Sequence, residues 1–319
     1  MKLRFPDAPT GGALYESVYT VLTDPVAPRS LWIRTTVRKR RDEQATGAVW
    51  FSWFHDATVQ AGKVADLAVA PAEGAIDVGG TKQGASGSRG SISLPTLDAS
   101  WEVELTPDAD PLDHLAPSWL YRSPVPRTKA TSPVPSLHAR GALTVDGTTI
   151  DVAGWRGMVG HNWGREHAAR WGWLRADGLG NDGDGWLDAI LGRVRVAGRL
   201  TPWTAFGTLC LDGRRHRLGG LLRRGTTVEL RPDGSDITLA GDDVRLALRA
   251  TVELPSTVGW EYADPAGGRH EVVNCSVATM ELEVERSGRT SILRPELRGV
   301  LELGGDHRAF DVPLEPFAD

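Results

Sequence analysis

The chain has 319 residues, 24% of them charged, and a formal net charge of −5. That length holds one large domain or two of about 150 residues each, and the mild acidic excess gives no general attraction for nucleic acid or anionic lipid. Two cysteines, Cys210 and Cys275, with no C-x-x-C pair, exclude a disulfide scaffold and offer no zinc or thiol-redox motif.

The opening stretch, MKLRFPDAPTGG, lacks the apolar core of a secretion signal, and no run of 18 apolar residues occurs. A cytoplasmic protein is expected, with peripheral membrane contact left open. Short alternating runs then follow one another, punctuated by 37 glycines and 20 prolines. Strands are expected in SLWIRTTVRKR (30–40), AVWFSWFHDATV (48–59), GWLDAILGRVRVAG (185–198), EVVNCSVATMELEVE (271–285) and GVLELGG (299–305). Three Asp-Gly pairs inside such runs, at 146–147, 212–213 and 233–234, read as two-residue hairpin turns.

Two segments break the pattern. KQGASGSRGS (82–91) reads as a flexible connection. The Pro-rich stretch 105–136 reads as one long binding loop or lid, and the apolar HLAPSWLY within it implies packing on the barrel. The basic clusters VRKRR (37–41) and DGRRHRLGGLLRR (212–224) sit in strand-like contexts and read as solvated edges. The whole pattern predicts an all-β protein of two similar halves, 1–170 and 171–319.

Several motif matches fail on context. GLGNDG (178–183) has the spacing of a dinucleotide fingerprint, but a strand follows it where a helix is required. NDGDG (181–185) lacks the distal glutamate of a calcium loop. No G-x-S-x-G elbow is present. His161 and His167, six positions apart on an extended strand, would stand about 20 Å apart and could not share a zinc ion. No metal and no cofactor is expected.

Tryptophan is the unexplained excess: twelve, against four tyrosines and six phenylalanines. Trp50, Trp53, Trp155, Trp163, Trp171, Trp173, Trp186 and Trp203 fall in clusters, either as core filling or as the aromatic walls of an apolar cavity. The densest window is GMVGHNWGREHAARWGW (157–173). At strand period, His161, Trp163, Arg165 and His167 share one face, while Asn162, Gly164 and Glu166 share the other. Trp186 and Asp188 share a face of WLDAI.

HNWG followed by RWGW resembles the signature of the lipocalin-like superfamily of carotenoid 1,2-hydratases (hydroxyneurosporene synthases), to which tocopherol cyclases and calycin-like Diels–Alderases are related in fold. Residues 16–37 and 259–284 are similar to the group's first hairpin and C-terminal barrel. The resemblance implies two consecutive lipocalin-like β-barrels, with a hydrophobic ligand in the first or between the two. It also implies roles for His161 and Trp163, and for Trp186 and Asp188 as an aromatic-x-Asp element. Two departures stand out: Gly160 where the motif often has Asp, and Trp186 where it has Tyr.

One chemistry suits these residue types. A carboxylic acid kept protonated in an apolar pocket protonates an alkene, and aromatic faces stabilise the resulting cation until water or an internal group captures it. Asp188 would be the acid, His161 its positioning partner, and Trp163 and Trp186 the stabilising faces. Trp171, Trp173, Arg165 and Glu166 complete the expected contacts to an isoprenoid or polyene substrate, with Glu166 ranked below Asp188 as the acid. The plainer alternatives are an Asp188 paired with Arg165, Arg170 or Arg175, and a His161 that merely fixes the domain junction. A pericyclic cyclase working by shape, or a non-catalytic carrier of a hydrophobic metabolite, would use the same aromatic walls.

Overall fold

The computed structural model describes all residues except 8–11, 73, 181, 232, 296–298, 306–311 and 316–319. Among the described residues, regular structure is β-strand apart from three short 3-10 turns. Thirteen strands between Leu14 and Gly164 join one antiparallel sheet, and eleven between Arg170 and Gly304 join a second. This is the expected all-β architecture of two consecutive lipocalin-like barrels. Only Arg165–Ala169 connects the last strand of the first sheet to the first strand of the second.

Alternation builds the outer strands. Along Leu97–Pro107, the residues Leu97, Ala99, Trp101, Val103 and Leu105 point into the first barrel while their neighbours face solvent. The turns at Asp146-Gly147 and Asp212-Gly213 form as expected, with Val145 opposite Thr148 and Leu211 opposite Arg214. Both residues of each pair have positive φ, the backbone state a two-residue hairpin requires. The third turn falls one position earlier than expected. Arg231 pairs with Gly234, so Gly234 belongs to the strand; Pro232 itself lies outside the described residues. A Cβ on Gly234 would lie 2.0 Å from the carbonyl oxygen of Ala250.

Both irregular segments are more ordered than their composition suggests. Most of 82–91 is paired, in strands Thr81–Gly84 and Gly87–Leu94, because the latter finds a full-length partner in Leu97–Pro107. Of 105–136, 108–127 is a strap that carries one two-residue strand, Leu112–Asp113, paired with Thr131 and Ser132; the ends belong to Leu97–Pro107 and Thr128–Val145. The glycine-rich stretch around 180–184 connects strands Arg170–Leu179 and Gly185–Arg193, with no helix after it; Asn181 lies outside the described residues. In the second basic cluster, Arg214, Arg215 and Arg217 are exposed on the terminal strand of the second sheet, Arg214 beside Asp243.

The strands Leu14–Thr23, Ser30–Lys39, Thr46–His55 and Arg156–Gly164 are buried on both faces. Their inward residues, such as Val18, Leu22, Ile33, Phe51 and Val159, fill the first barrel. Their outward residues Tyr19, Val21, Trp32, Trp50 and Met158 join the core of the second sheet. The contact is aromatic: Trp260 stacks on Trp32 at 6.1 Å and meets Trp50 edge-on at 5.1 Å. Trp260 is fully buried. The substitution Trp260→Ala is expected to lower unfolding stability by about 3–5 kcal/mol, measured by urea denaturation, because it empties the centre of the contact between the sheets.

Candidate active site between the two sheets

A cavity of about 320 Å³ opens where the outer face of the first sheet meets the second sheet under the strap. From the first sheet, Tyr15, Tyr19, Trp32, Arg34 and Asn162 contribute to its wall. From the second come Trp171, Trp173, Ile190, Phe206, Tyr262 and Glu302. His167 and Ala168 close it from the connection, and Leu115, Leu120, Val125 and Lys129 from the strap and the strand after it.

The lining separates into two chemistries. Under the strap, Leu115 and Leu120 pack with Phe206, Tyr121 and Ile190 in a cluster of their own. The strap is pinned there: Tyr121 Oη donates to the carbonyl of Ala130 (2.7 Å), and Lys129 Nζ donates to the carbonyl of Ser123 (2.9 Å). Around Tyr262 the polar groups gather. Its hydroxyl donates to Glu302 Oε2 at 3.0 Å, and Trp171 Nε1 and Asn274 Nδ2 also donate to that carboxylate, at 3.1 and 3.2 Å. The Arg34 guanidinium lies over the Tyr262 ring, 4.0 Å from its centroid.

His167 stands in this polar group. Its ring stacks on Tyr15 at 4.1 Å and is flanked by Trp171 at 5.4 Å. Asp264 Oδ1 accepts from both the backbone N–H (2.8 Å) and Nδ1 (2.7 Å) of His167, and Oδ2 accepts from His270 Nε2 (2.8 Å). These bonds hold the Asp264 carboxyl well below its ordinary range against the opposing effect of burial. Burial pushes His167 below its ordinary value of 6.5, so it is neutral at neutral pH. His167, Asp264 and His270 are also metal-ligating types, with ligand atoms within 4.8 Å of one another; the hydrogen bonds between them account for that closeness.

Of the residues singled out from the sequence, Trp171 and Trp173 line the cavity. Asp188 lies just behind Trp173. It is fully buried and accepts hydrogen bonds from Trp173 Nε1 (3.1 Å) and Ser132 Oγ (2.6 Å), with His114 Nε2 at 3.6 Å. The arginine pairing is not what holds it: Arg175 instead pairs with Asp177 and donates to the carbonyl of Pro135. Trp186 shares Asp188's strand face as expected, but is packed between the Arg175 and Arg215 guanidiniums, 5.5 Å from each. Ser132 and His114 were hidden in the Pro-rich stretch, whose composition shows no strand register.

The alternation expected through 157–173 holds only to Gly164, where the strand ends. Arg165 is exposed, and Glu166 pairs with Arg127 at the surface. The two faces are also exchanged: Asn162 looks into the cavity, whereas His161 and Trp163 look into the first barrel. The reason is that the outward face of this strand is as buried as the inward one. His161 Nε2 bonds Glu16 Oε1 at 2.7 Å, and Glu16 also accepts from the backbone N–H groups of Arg4 and Phe5. Arg4 lies over the Trp163 ring at 4.7 Å. This pair therefore anchors the N-terminal segment to the mouth of the barrel. Gly160 is explained by Tyr19, which lies directly across its strand. A Cβ at 160 would come 2.0 Å from the Tyr19 ring, so the glycine lets that ring lie flat and reach the cavity.

No protein-family profile matches the chain. Two Mycobacterium tuberculosis proteins, MT0513 and Rv0493c, named only as uncharacterized, are each 28% identical to it over 281 residues, covering 83% of this chain and 80% of theirs. Among solved structures, CghA with Sch210972 superposes with a TM-score of 0.59 at 11% identity, over 91% of this chain and 88% of that one. An AttH structure (NE1406) from Nitrosomonas europaea gives 0.52 at 15% identity, over 96% and 97%. Kievitone hydratase from Nectria haematococca gives 0.51 at 12% identity, over 93% and 90%. The resemblance carried by the His-Asn-Trp-Gly block is thereby upheld at the level of fold: the chain has the lipocalin-like, calycin double-barrel architecture of these structures.

Two outcomes follow from this geometry. Glu16→Ala is expected to cost about 3 kcal/mol or more in unfolding stability, because it leaves His161 and two backbone donors without their buried acceptor. Burial also pushes His114 below 6.5. With both His114 and His167 depressed, the unfolded chain binds more protons than the folded one below pH 6.5, so stability falls as pH drops through that value. Urea titrations at about pH 7.5 and pH 5.5 should show it, and His114→Asn should shrink the difference.

Proposed function

We propose that this protein is a cofactor-independent enzyme that hydrates or cyclises an isoprenoid or other polyunsaturated, largely apolar molecule held between its two barrels. The observation that supports this best is the cavity: its walls are mainly aromatic and aliphatic, the carboxylate, guanidinium and imidazole groups gather around Tyr262, and the Lys129 ammonium on the strap side is tied to a strap carbonyl. The faces of Trp171, Trp173 and the cavity tyrosines are suited to stabilising positive charge developing on an alkene carbon. In this reading Asp188 is the carboxyl group on which the chemistry depends. It contacts the cavity wall through the Trp173 indole, whose N–H it accepts, and it is the proposed acid whose proton goes to the alkene carbon, leaving a carboxylate behind and a cation under the aromatic faces. Kievitone hydratase and the Sch210972-bound CghA share the fold and are consistent with small-molecule chemistry in it.

A second reading, pericyclic cyclisation driven by the shape of the cavity, is favoured by one observation: Asp188 is separated from the cavity by Trp173 and need not donate a proton at all. Mass spectrometry of small molecules that co-purify with the protein, followed by assay of Asp188→Asn on the class recovered, separates these. Proton-initiated chemistry should fall by at least about 100-fold. A pericyclic reaction should change only a few-fold. A carrier would bind the molecule unchanged with either residue, and that result would reject the enzymatic proposal.

A further inference from the structure

Three cavity-lining residues carry a buried polar atom with no hydrogen-bond partner among the described residues: Trp32 Nε1, Asn162 Oδ1 and His167 Nε2. Of these only His167 is a base. Asp264 takes the Nδ1 side of His167, so Nε2 points the opposite way, and among the described residues it has no hydrogen-bond partner although it is sealed from bulk water. The tautomer is fixed by the surroundings. Asp264 accepts three hydrogen bonds, two from His167 and one from His270, so the proton of the neutral ring sits on Nδ1 and Nε2 carries the lone pair. The ring itself is held by the Tyr15 stack and by the anchoring of its own backbone N–H. Glu302 is already occupied by Trp171, Tyr262 and Asn274, and Asn162 Oδ1, although unpartnered, is an amide oxygen too weakly basic to take a proton. A buried, oriented acceptor without a donor is a costly arrangement for a purely structural histidine.

We infer that His167 is the proton acceptor at the polar end of the cavity: Nε2 receives a hydrogen bond from a hydroxyl, phenol or enol carried by the otherwise apolar ligand, and takes that proton when the oxygen adds to carbon. The inference rests on the proposal that the cavity holds an apolar ligand, and it adds the class of polar end that ligand carries. In the addition step one C–O bond forms and one O–H bond breaks. The O–H electron pair stays on oxygen and the proton moves to Nε2. The positive charge that stood on carbon is then carried by the imidazolium, beside the Asp264 carboxylate, until the proton returns to solvent.

The test uses two probes that differ by one hydroxyl, naphthalene and 2-naphthol, measured by equilibrium dialysis against the full chain and His167→Phe, which keeps the stack on Tyr15 and removes the acceptor. The native protein should bind 2-naphthol about tenfold more tightly than naphthalene, and the variant should bind both about equally, with naphthalene affinity retained. A hydroxyl preference that persists in the variant, or is absent from the native protein while naphthalene binds, overturns the role of His167 and leaves the apolar cavity standing. Failure of both probes to bind the native protein removes the cavity reading, and this inference with it. If the variant does not fold, nitrogen NMR of the histidine-labelled native protein decides. One unprotonated ring-nitrogen signal should shift with 2-naphthol and not with naphthalene; no shift with 2-naphthol bound overturns the inference.

Discussion

The outer face of the first sheet has to be covered, and the rest of the molecule is arranged around that requirement. Tyr19, Trp32, Trp50 and Met158 stand on the side of their strands that faces away from the first barrel. Exposed, they would form an apolar patch far larger than a soluble chain tolerates. The second sheet covers them through Trp260, Tyr262 and Trp173. Two twisted surfaces studded with large flat rings do not mesh everywhere, and the cavity lies where they part. The strap covers what remains, inserting Leu115 and Leu120 against Phe206.

The same constraint governs where charge is found. Groups that would be costly alone in such an interface occur in sets that satisfy one another: Asp188 with Ser132, Trp173 and His114; Arg175 with Asp177 and a carbonyl; Asp264 with His167 and His270. Each set ties together elements distant in sequence. Asp188 joins the second sheet to the strand after the strap, and Asp264 joins the second sheet to the connection between the sheets. The polar end of the cavity is in this sense part of the joint between barrels, and its side chains are oriented by the same bonds that hold the joint.

Period-two patterning carries most of the fold, because strands such as Leu97–Pro107 are dry on one side and wet on the other. It fails where both sides are dry. Through residues 157–164 every side chain sits in an environment that excludes water to some degree, so hydrophobicity cannot say which face looks at which core. That is why His161 and Trp163 read as cavity residues and Asn162 did not. Trp171 and Trp173 were legible because two tryptophans spaced by a glycine need a wide apolar space on one face. The Asp264–His167 pair was not, since 97 residues separate its members and neither stands in a local motif. His114 and Ser132 were obscured by the prolines around them.

The fit of Tyr19 over Gly160 has a consequence for the history of the sequence. With the ring in place, no other amino acid fits at 160, and with any other amino acid at 160 the ring must leave the cavity wall. The two positions are thus a single inherited choice. A chain of this fold with aspartate before the His-Asn-Trp block would have to give up the tyrosine opposite, and so enclose a differently shaped space. Covariation of this one pair across descendants of a common ancestor would then sort them by the molecules they admit, before any activity is known.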